Sequence, residues 1–352
     1  MSFILSVKDT YRQAVEAASG GKNTVMYDDK GNPSIMVCIP RFNLSDVIDG
    51  APNTPHPAFI VDGVVKKEIW VSKFQNIVHD GRAYSIPGVD PKASINFNDS
   101  KDACTRKGEG WHLMTNAEWA ALALWSKKNG TMPRGNNDYG KDHSASYERG
   151  VETYETGGRT GRVATGSGPA TWSHDHTPFG VFDLNGNVRE WVDGLRLIDG
   201  KIYVHQDNDF NTPDSLSNWV DTEIYVDNSE KGNDRKESNT VSGKPILNSK
   251  RENPMYTGGD VDDYYGYNYT GFEDLETKSG VSTPDLLKYL AIAPTEGDHG
   301  GDRFYARNYG ERFALRGGHW SHGANAGVFY LYLHNRASRS LTLLGFRSSL
   351  VL

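Results

Sequence analysis

Three sets of side chains have the types and spacing to do chemistry. His319, His322 and His334 stand close together near the C-terminus, and imidazole is the commonest metal ligand. No cysteine, aspartate or glutamate accompanies them at a fitting spacing, so a histidine metal site stays a minor alternative and no cofactor is expected. Asp183, Asn185, Asn187 and Glu190 resemble a calcium loop in composition, but the spacing is wrong for an EF-hand. Asx side chains that stabilise turns explain that run better, and Asp260, Asp262 and Asp263 read as a solvated loop. Cys38 and Cys104 are the two thiols. They form no C-x-x-C pair, which excludes a zinc ribbon or thioredoxin motif and permits one bridge at most. A small buried thiol is the ordinary reading of each.

The elements that must position these residues belong to a chain of 352 residues with 45 acidic and 38 basic side chains, a net charge of −7. At about 100 to 200 residues per domain, one large domain or two ordinary ones fit. The mild acidity argues against a nucleic-acid partner, because phosphate contacts need clustered Lys and Arg. Aromatic residues (13 Phe, 18 Tyr, 8 Trp) supply bulky surface for a core. No stretch reaches the ~20 apolar residues of a membrane helix, so no membrane insertion is expected. The start, Met1-Ser-Phe-Ile-Leu-Ser-Val, lacks the basic and apolar regions of a signal peptide.

Residues 6–19 read as a short amphipathic helix with Ser6 and Asp9 in a capping-box pattern, ended by Gly20-Gly21. It packs on its own domain or mediates self-association. Ile35–Ile39 and Glu68–Ser72 have strand composition. Helices are expected over about Ser100–Lys107 and from Thr115, whose hydroxyl caps the turn while Glu118 reaches back. Residues 130–170 read as a surface loop. Residues 195–312 read as a polar insertion with one helical stretch at Thr283–Leu290. The expected organisation is an N-terminal helix and lead-in over 1–33 and one domain over 34–352.

Several ordered stretches resemble one family. Ile35-Met-Val-Cys-Ile-Pro40 and Trp70-Val-Ser-Lys-Phe74 resemble its first strands, and Trp111–Trp119 resembles its R-L-P-T-E-A-E-W segment. Phe179-Gly-Val-Phe-Asp-Leu-Asn-Gly-Asn-Val-Arg-Glu-Trp191 resembles its G-L-x-D-M-x-G-N-V-W-E-W motif. Leu315-Arg-Gly-Gly-His-Trp320 and Gly345-Phe-Arg347 resemble its R-G-G-S-W and G-F-R. This is the formylglycine-generating-enzyme branch of the C-type lectin fold. The resemblance implies an α+β fold of that subtype, with a large irregular insertion and a short N-terminal helix. Its oxidases hold copper with a cysteine pair in the C-terminal part, and soft thiolates suit Cu(I). Residues 307–352 contain no cysteine, so no enzymatic activity is expected. A family-type oxidase or other metal-dependent enzyme is the alternative.

From Val328 the residues alternate strictly: Phe329, Leu331 and Leu333 share one face, and Tyr330, Tyr332 and His334 the other. The first set suits a core, the second a binding surface. A second alternation runs through Arg339, Leu341 and Leu343. The segment 315–347 resembles the variable region of diversity-generating retroelement target proteins, where R-G-G-x-W…G-x-x-A-G-V-F…G-F-R frames codons diversified at adenines. An AAC template codon changed at its adenines yields Tyr, His, Ser, Arg, Leu or Asn among others, and never Lys, Glu, Gln, Met or Trp. The candidate positions His319, Ser321, His322, Asn325, Tyr330, Tyr332, His334, Asn335, Arg339, Leu341 and Leu343 all comply. Trp320, Phe329, Leu331, Leu333 and Phe346 form the expected fixed frame. The tyrosines would anchor, His and Arg339 would adapt, and the leucines would add apolar area. The resemblance implies a receptor-binding protein, with a protein or glycan ligand on a cell or virus surface, carried on a phage tail or present in the cytoplasm before release. A structural virion component is the further alternative.

Overall fold

The β-branched strand Pro33–Pro40 pairs antiparallel with Asn23–Tyr27 on one side and Glu68–Ser72 on the other. Ser348–Leu350 slots between Glu68–Ser72 and Trp111–Leu113, completing a five-stranded sheet. In this computed structural model residues 9–231, 240–255 and 266–352 are described; Ser6, Asp260, Asp262 and Asp263 lie outside them. Residues 23–27 are part of the sheet, so the domain boundary expected after residue 33 is corrected: it would split a hairpin whose buried Val25 belongs to the core.

Local chemistry sets the helices. Thr10–Ser19 is capped by Asp9, which accepts from the Arg12 N–H at 2.9 Å, and ends at left-handed Gly20. The helix is largely exposed, with Val15 touching the cluster around Phe74 and Trp172. Asn96 caps Phe97–Thr105, earlier than expected, because its side chain takes the Asp99 N–H. Asn116–Lys128 carries the reciprocal Thr115–Glu118 box that the sequence implies, and it runs through the main core.

The large sheet has the strand order 268–271, 303–306, 331–333, 311–316, 189–198, 201–204, 220–228, 245–248, 276–277, with 344–346 added parallel to 189–198. Within the insertion, short strands extend this sheet and flank the C-terminal segment. Residues 130–170 have little regular structure but are not simply a surface loop: Asn136, Asn137 and Val163 are buried. Asn187 explains why, since its side chain bonds Asn136, Val163 and Gln75 at 2.9–3.1 Å.

At the seam of the two sheets, Arg347 and Glu190 form a fully buried pair, with Nε–Oε2 and Nη2–Oε1 both 2.6 Å. Gln75 donates to the same carboxylate at 3.0 Å. This junction fixes the register of the strand on which the site is built.

Candidate functional site

The 329–334 alternation divides two clusters. Phe329, Leu331 and Leu333 enter the main core. Tyr330 and Tyr332 point the other way, into a smaller cluster with Trp191, Leu315 and Phe346. Both faces are covered, and this corrects the expectation of a displayed surface at Tyr330, Tyr332, His334, Asn335 and His319, all of which are buried. The cause is topological: Leu331–Leu333 is flanked by Arg303–Ala306 and Glu311–Arg316. Tyr305 then lies 5.6 Å from Tyr330 and 5.3 Å from Tyr332, ring to ring. Tyr267 adds a second layer, 4.5 Å from His334.

The outer candidates are Ser321, which is exposed, and His322, Asn325, Arg339, Leu341 and Leu343, which are half-buried. Asn325 accepts from Arg303 Nε at 2.8 Å. Arg339–Leu343 does not form the strand its alternation suggests; it is a turn, closed by Arg339 N–H to Arg336 carbonyl and Leu344 N–H to Leu341 carbonyl. The frame residues Trp320, Phe329, Leu331, Leu333 and Phe346 are all buried. Asp302 anchors the start of the segment by accepting the Phe329 N–H at 2.7 Å. Gly327 is required beside it, because a Cβ there would lie 2.0 Å from the Asp302 carboxylate.

Arg189, which sequence reasoning missed, sits at the centre. It opens the strand Arg189–Ile198, and its N–H bonds the Leu343 carbonyl at 2.9 Å. Glu190 points to the seam, so Arg189 and Trp191 project to the tyrosine side. The guanidinium lies 4.3 Å from the Tyr332 ring and 5.9 Å from Tyr330. Its Nη2 donates to His322 Nε2 at 2.9 Å, while the His319 N–H points to Nδ1 of the same ring at 3.4 Å. The His319 ring lies 3.8 Å from that of His322, tilted by 40°. Among the described residues no carboxylate pairs with Arg189. The signal was available: Arg189 occupies the position of the first tryptophan in the G-N-V-W-E-W pattern. Tyr267 and Tyr305 were also missed, and nothing in the polar insertion marked them.

Burial and then the Arg189 charge hold the His319 imidazole well below its ordinary pKa. For His322 burial, His319 and Arg189 act in that order, and for His334 burial leads, followed by Arg312 and Arg307. Burial pushes the Tyr332 phenol up to about 12. The site therefore combines neutral histidines and phenols with several arginines, Arg189 beside the tyrosines and Arg312, Arg307 and Arg339 around His334. Tyr332 Oη and His334 Nδ1 share a hydrogen bond at 2.6 Å. Tyr330 Oη, Arg189 Nε, His334 Nε2 and Asn335 Nδ2 are buried without a hydrogen-bond partner among the described residues. So many unsatisfied groups in one place are unusual for a structural core.

The three histidines do not assemble a metal site: among the described residues no group of three His, Cys, Asp or Glu side chains converges. The copper site of the oxidases does not fit either. Cys38 lies on the Pro33–Pro40 strand and Cys104 in the Phe97–Thr105 helix, both raised in pKa first by burial, Cys38 to about 12. The Asp183–Glu190 run is committed internally. Asn185 bonds the Pro133 carbonyl and the Asn137 amide, and Glu190 holds Arg347.

The profile of the FGE-sulfatase family, described as a sulfatase-modifying factor enzyme 1-like domain, matches residues 17–349. The chain belongs to this family, and its fold is the α+β, C-type-lectin fold of the formylglycine-generating-enzyme subtype. Among solved structures the chain is similar to PvdO from Pseudomonas aeruginosa, at 14% identity and a TM-score of 0.37, covering 94% of this chain and 98% of that one. It is also similar to Treponema denticola variable protein 1, at 13% identity and TM-score 0.32, covering 93% and 98%. A third similarity is to the Major Tropism Determinant P3c variant, at 11% identity and TM-score 0.28, covering 93% and 71%. No curated protein matches the sequence significantly.

Proposed function

We propose that this chain is a non-enzymatic ligand-binding protein whose C-terminal segment is a retroelement-diversified recognition face, carried as a receptor-binding protein of a phage tail. The observation that carries this reading is the sorting of residue types in space. The candidate positions Tyr330, Tyr332, Leu341 and Leu343 gather on one side of the sheet, with Arg189 against the tyrosine rings. The main core on the other side receives Phe329, Leu331 and Leu333. The recognition face has two tiers. Ser321, His322, Asn325, Arg339, Leu341 and Leu343 make the outer contacts, and Tyr330, Tyr332, His334, Asn335 and His319 form the buried layer that shapes them. An oxidase role is disfavoured by the donor set, since the thiols sit on separate elements, Cys38 on the strand Pro33–Pro40 and Cys104 alone in the cluster that holds the tyrosines. No described helix is long and apolar enough to cross a membrane.

The test is labelled full-length protein on a panel of intact bacterial cells. Joint replacement of Ser321 and Arg339 by alanine and of Leu341 and Leu343 by methionine, which keeps apolar volume against the cluster, should abolish cell binding while the variant still unfolds cooperatively. Retained binding by that variant, or no binding of the unaltered protein to any cell, contradicts the proposal.

A further inference from the structure

A cleft of about 540 Å³ opens where the first helix meets the five-stranded sheet, and none of its lining residues belongs to the segment 315–347. Sites for small molecules typically measure about 300–1,000 Å³. Its origin is local. The strand Asn23–Tyr27 covers its neighbour Pro33–Pro40 only as far as Val37, because the chain before it turns into the helix through left-handed Gly20 and Gly21. The Lys22 carbonyl takes the Cys38 N–H at 3.1 Å, and beyond that bond Ile39 and Pro40 have no strand on this side. Val37 and Ile39, Leu122 and Trp125 of the helix Asn116–Lys128, and Phe42 and Phe179 make the walls apolar.

The polar groups are few and held in place. His174 is 6% exposed, and its ring lies 5.3 Å from that of Trp125. Its carbonyl accepts from Ser126 Oγ and Thr131 Oγ1 at 2.9 and 2.8 Å, and its Nδ1 accepts the Val181 N–H at 2.9 Å. Burial holds the imidazole below its ordinary range, with Arg347, His176 and Lys22 adding to the effect and Asp175 opposing it. A neutral ring that accepts at Nδ1 carries its proton on Nε2, and that N–H has no partner among the described residues. Lys22 and Arg41 also line the cleft; both are exposed, and among the described residues neither side chain has an ion pair or hydrogen bond. The one carboxylate there, Asp175, is committed to its own turn, accepting from the Thr177 N–H and Ser173 Oγ at 2.9 and 3.1 Å. In a chain of net charge −7, the cleft thus offers an apolar body, one buried N–H donor and two unpaired cations.

We infer that this cleft binds a small aromatic carboxylate, its ring against Trp125, Phe42 and Phe179, its carboxylate accepting the His174 Nε2–H under the charges of Lys22 and Arg41. The cations and the donor select an anion over an amine. Three aromatic walls favour a flat ring over an alkyl chain, since ring pairs add to plain area burial.

The test is calorimetric titration of the full chain with 3-phenylpropionate, 3-phenylpropanol, 3-phenylpropylamine and octanoate. The phenylpropionate should bind tightest, with the alcohol and the amine weaker by on the order of tenfold or more, the worth of a charge-assisted contact. Joint Lys22→Met and Arg41→Met should weaken its binding about three- to tenfold, as exposed charges do, and remove the salt dependence that the parent shows. His174→Asn, which keeps an acceptor for the Val181 N–H and loses the Nε2–H, should weaken it about tenfold. Thermal melts establish that each variant is folded; if His174→Asn is not, the double variant decides, because neither of its side chains bonds the rest of the protein. No binding of phenylpropionate, equal binding of the alcohol or amine, or unchanged binding by the folded double variant overturns the inference. Tighter binding of octanoate overturns the aromatic assignment.

Discussion

Arg189 Nη2 lies 2.9 Å from Nε2 of His322, and the imidazole it donates to is neutral. One residue belongs to the strand that carries the family motif, the other to the segment that matches a variable frame. The contact joins the motif strand to the segment proposed as the variable face. It also explains why the histidines there stay uncharged: burial and a nearby cation both disfavour imidazolium.

The buried tier makes a split prediction at Tyr330. Tyr330→Ala empties a fully buried aromatic site and should cost about 3–5 kcal/mol. Tyr330→Phe removes only an unbonded hydroxyl and should stay within about 1 kcal/mol of the parent or exceed it. Denaturant unfolding of the two variants checks both; equal losses would show that the hydroxyl has a partner.

The Arg347–Glu190 pair should behave as a buried ion pair broken on one side. Glu190→Gln leaves the guanidinium uncompensated and should destabilise by about 3–5 kcal/mol. Thermal unfolding is the readout, and a loss below about 1 kcal/mol would mean the pair does not lock the sheets.

Asp302 sets a pH dependence. Burial pushes its carboxyl up to about 8 from an ordinary 3.8. The folded chain then holds a proton that the unfolded chain releases, so this contribution is complete below about 4 and is lost as pH rises toward 8. Asp302→Asn, which keeps an acceptor for the Phe329 N–H, should flatten the stability profile between about pH 4 and 8 relative to the parent. An unchanged slope in chemical unfolding across that window would contradict it.

Lys107 works in the opposite sense. It is fully buried, donates to Ser34 Oγ at 2.8 Å and sits 3.3 Å over the Trp111 ring. Burial pushes its ammonium down to about 7 from 10.5. The unfolded chain binds this proton more tightly, so stability rises between about pH 7 and 10.5. Lys107→Met should stabilise the protein at pH 6 by about 1–4 kcal/mol, as apolar replacement of buried charge often does. A lower midpoint in the variant would show that the Ser34 and Trp111 contacts outweigh desolvation.

The fold was legible where short motifs carry their own geometry. The Thr115–Glu118 box and the Asn-Gly-Asn turn are local, and Gly186 has a φ of 79° with the Asn136 carbonyl 2.1 Å from where a Cβ would stand. Period-two alternation separated the faces at Phe329 and Tyr330 correctly. It could not tell whether the second face meets solvent, because that depends on Tyr305 and Tyr267, which arrive from the distant insertion. The same alternation over Arg339–Leu343 proved to be a turn, since period two without a pairing partner specifies no strand. Arg189 was visible as a departure from a motif, but its meaning needed the third dimension.

Sequencing the gene's 3′ end and its flanking DNA tests the central claim most directly. The account predicts a reverse transcriptase gene and a near-copy of this end whose differences fall only at adenines. Those differences should lie in codons 319, 321, 322, 330, 332, 334, 339, 341 and 343, while the asparagine codons 325 and 335 keep the template adenines and those of Trp320, Phe329, Leu331, Leu333 and Phe346 are unchanged. A locus without such a repeat, or a repeat differing at the frame codons or at bases other than adenine, would contradict it.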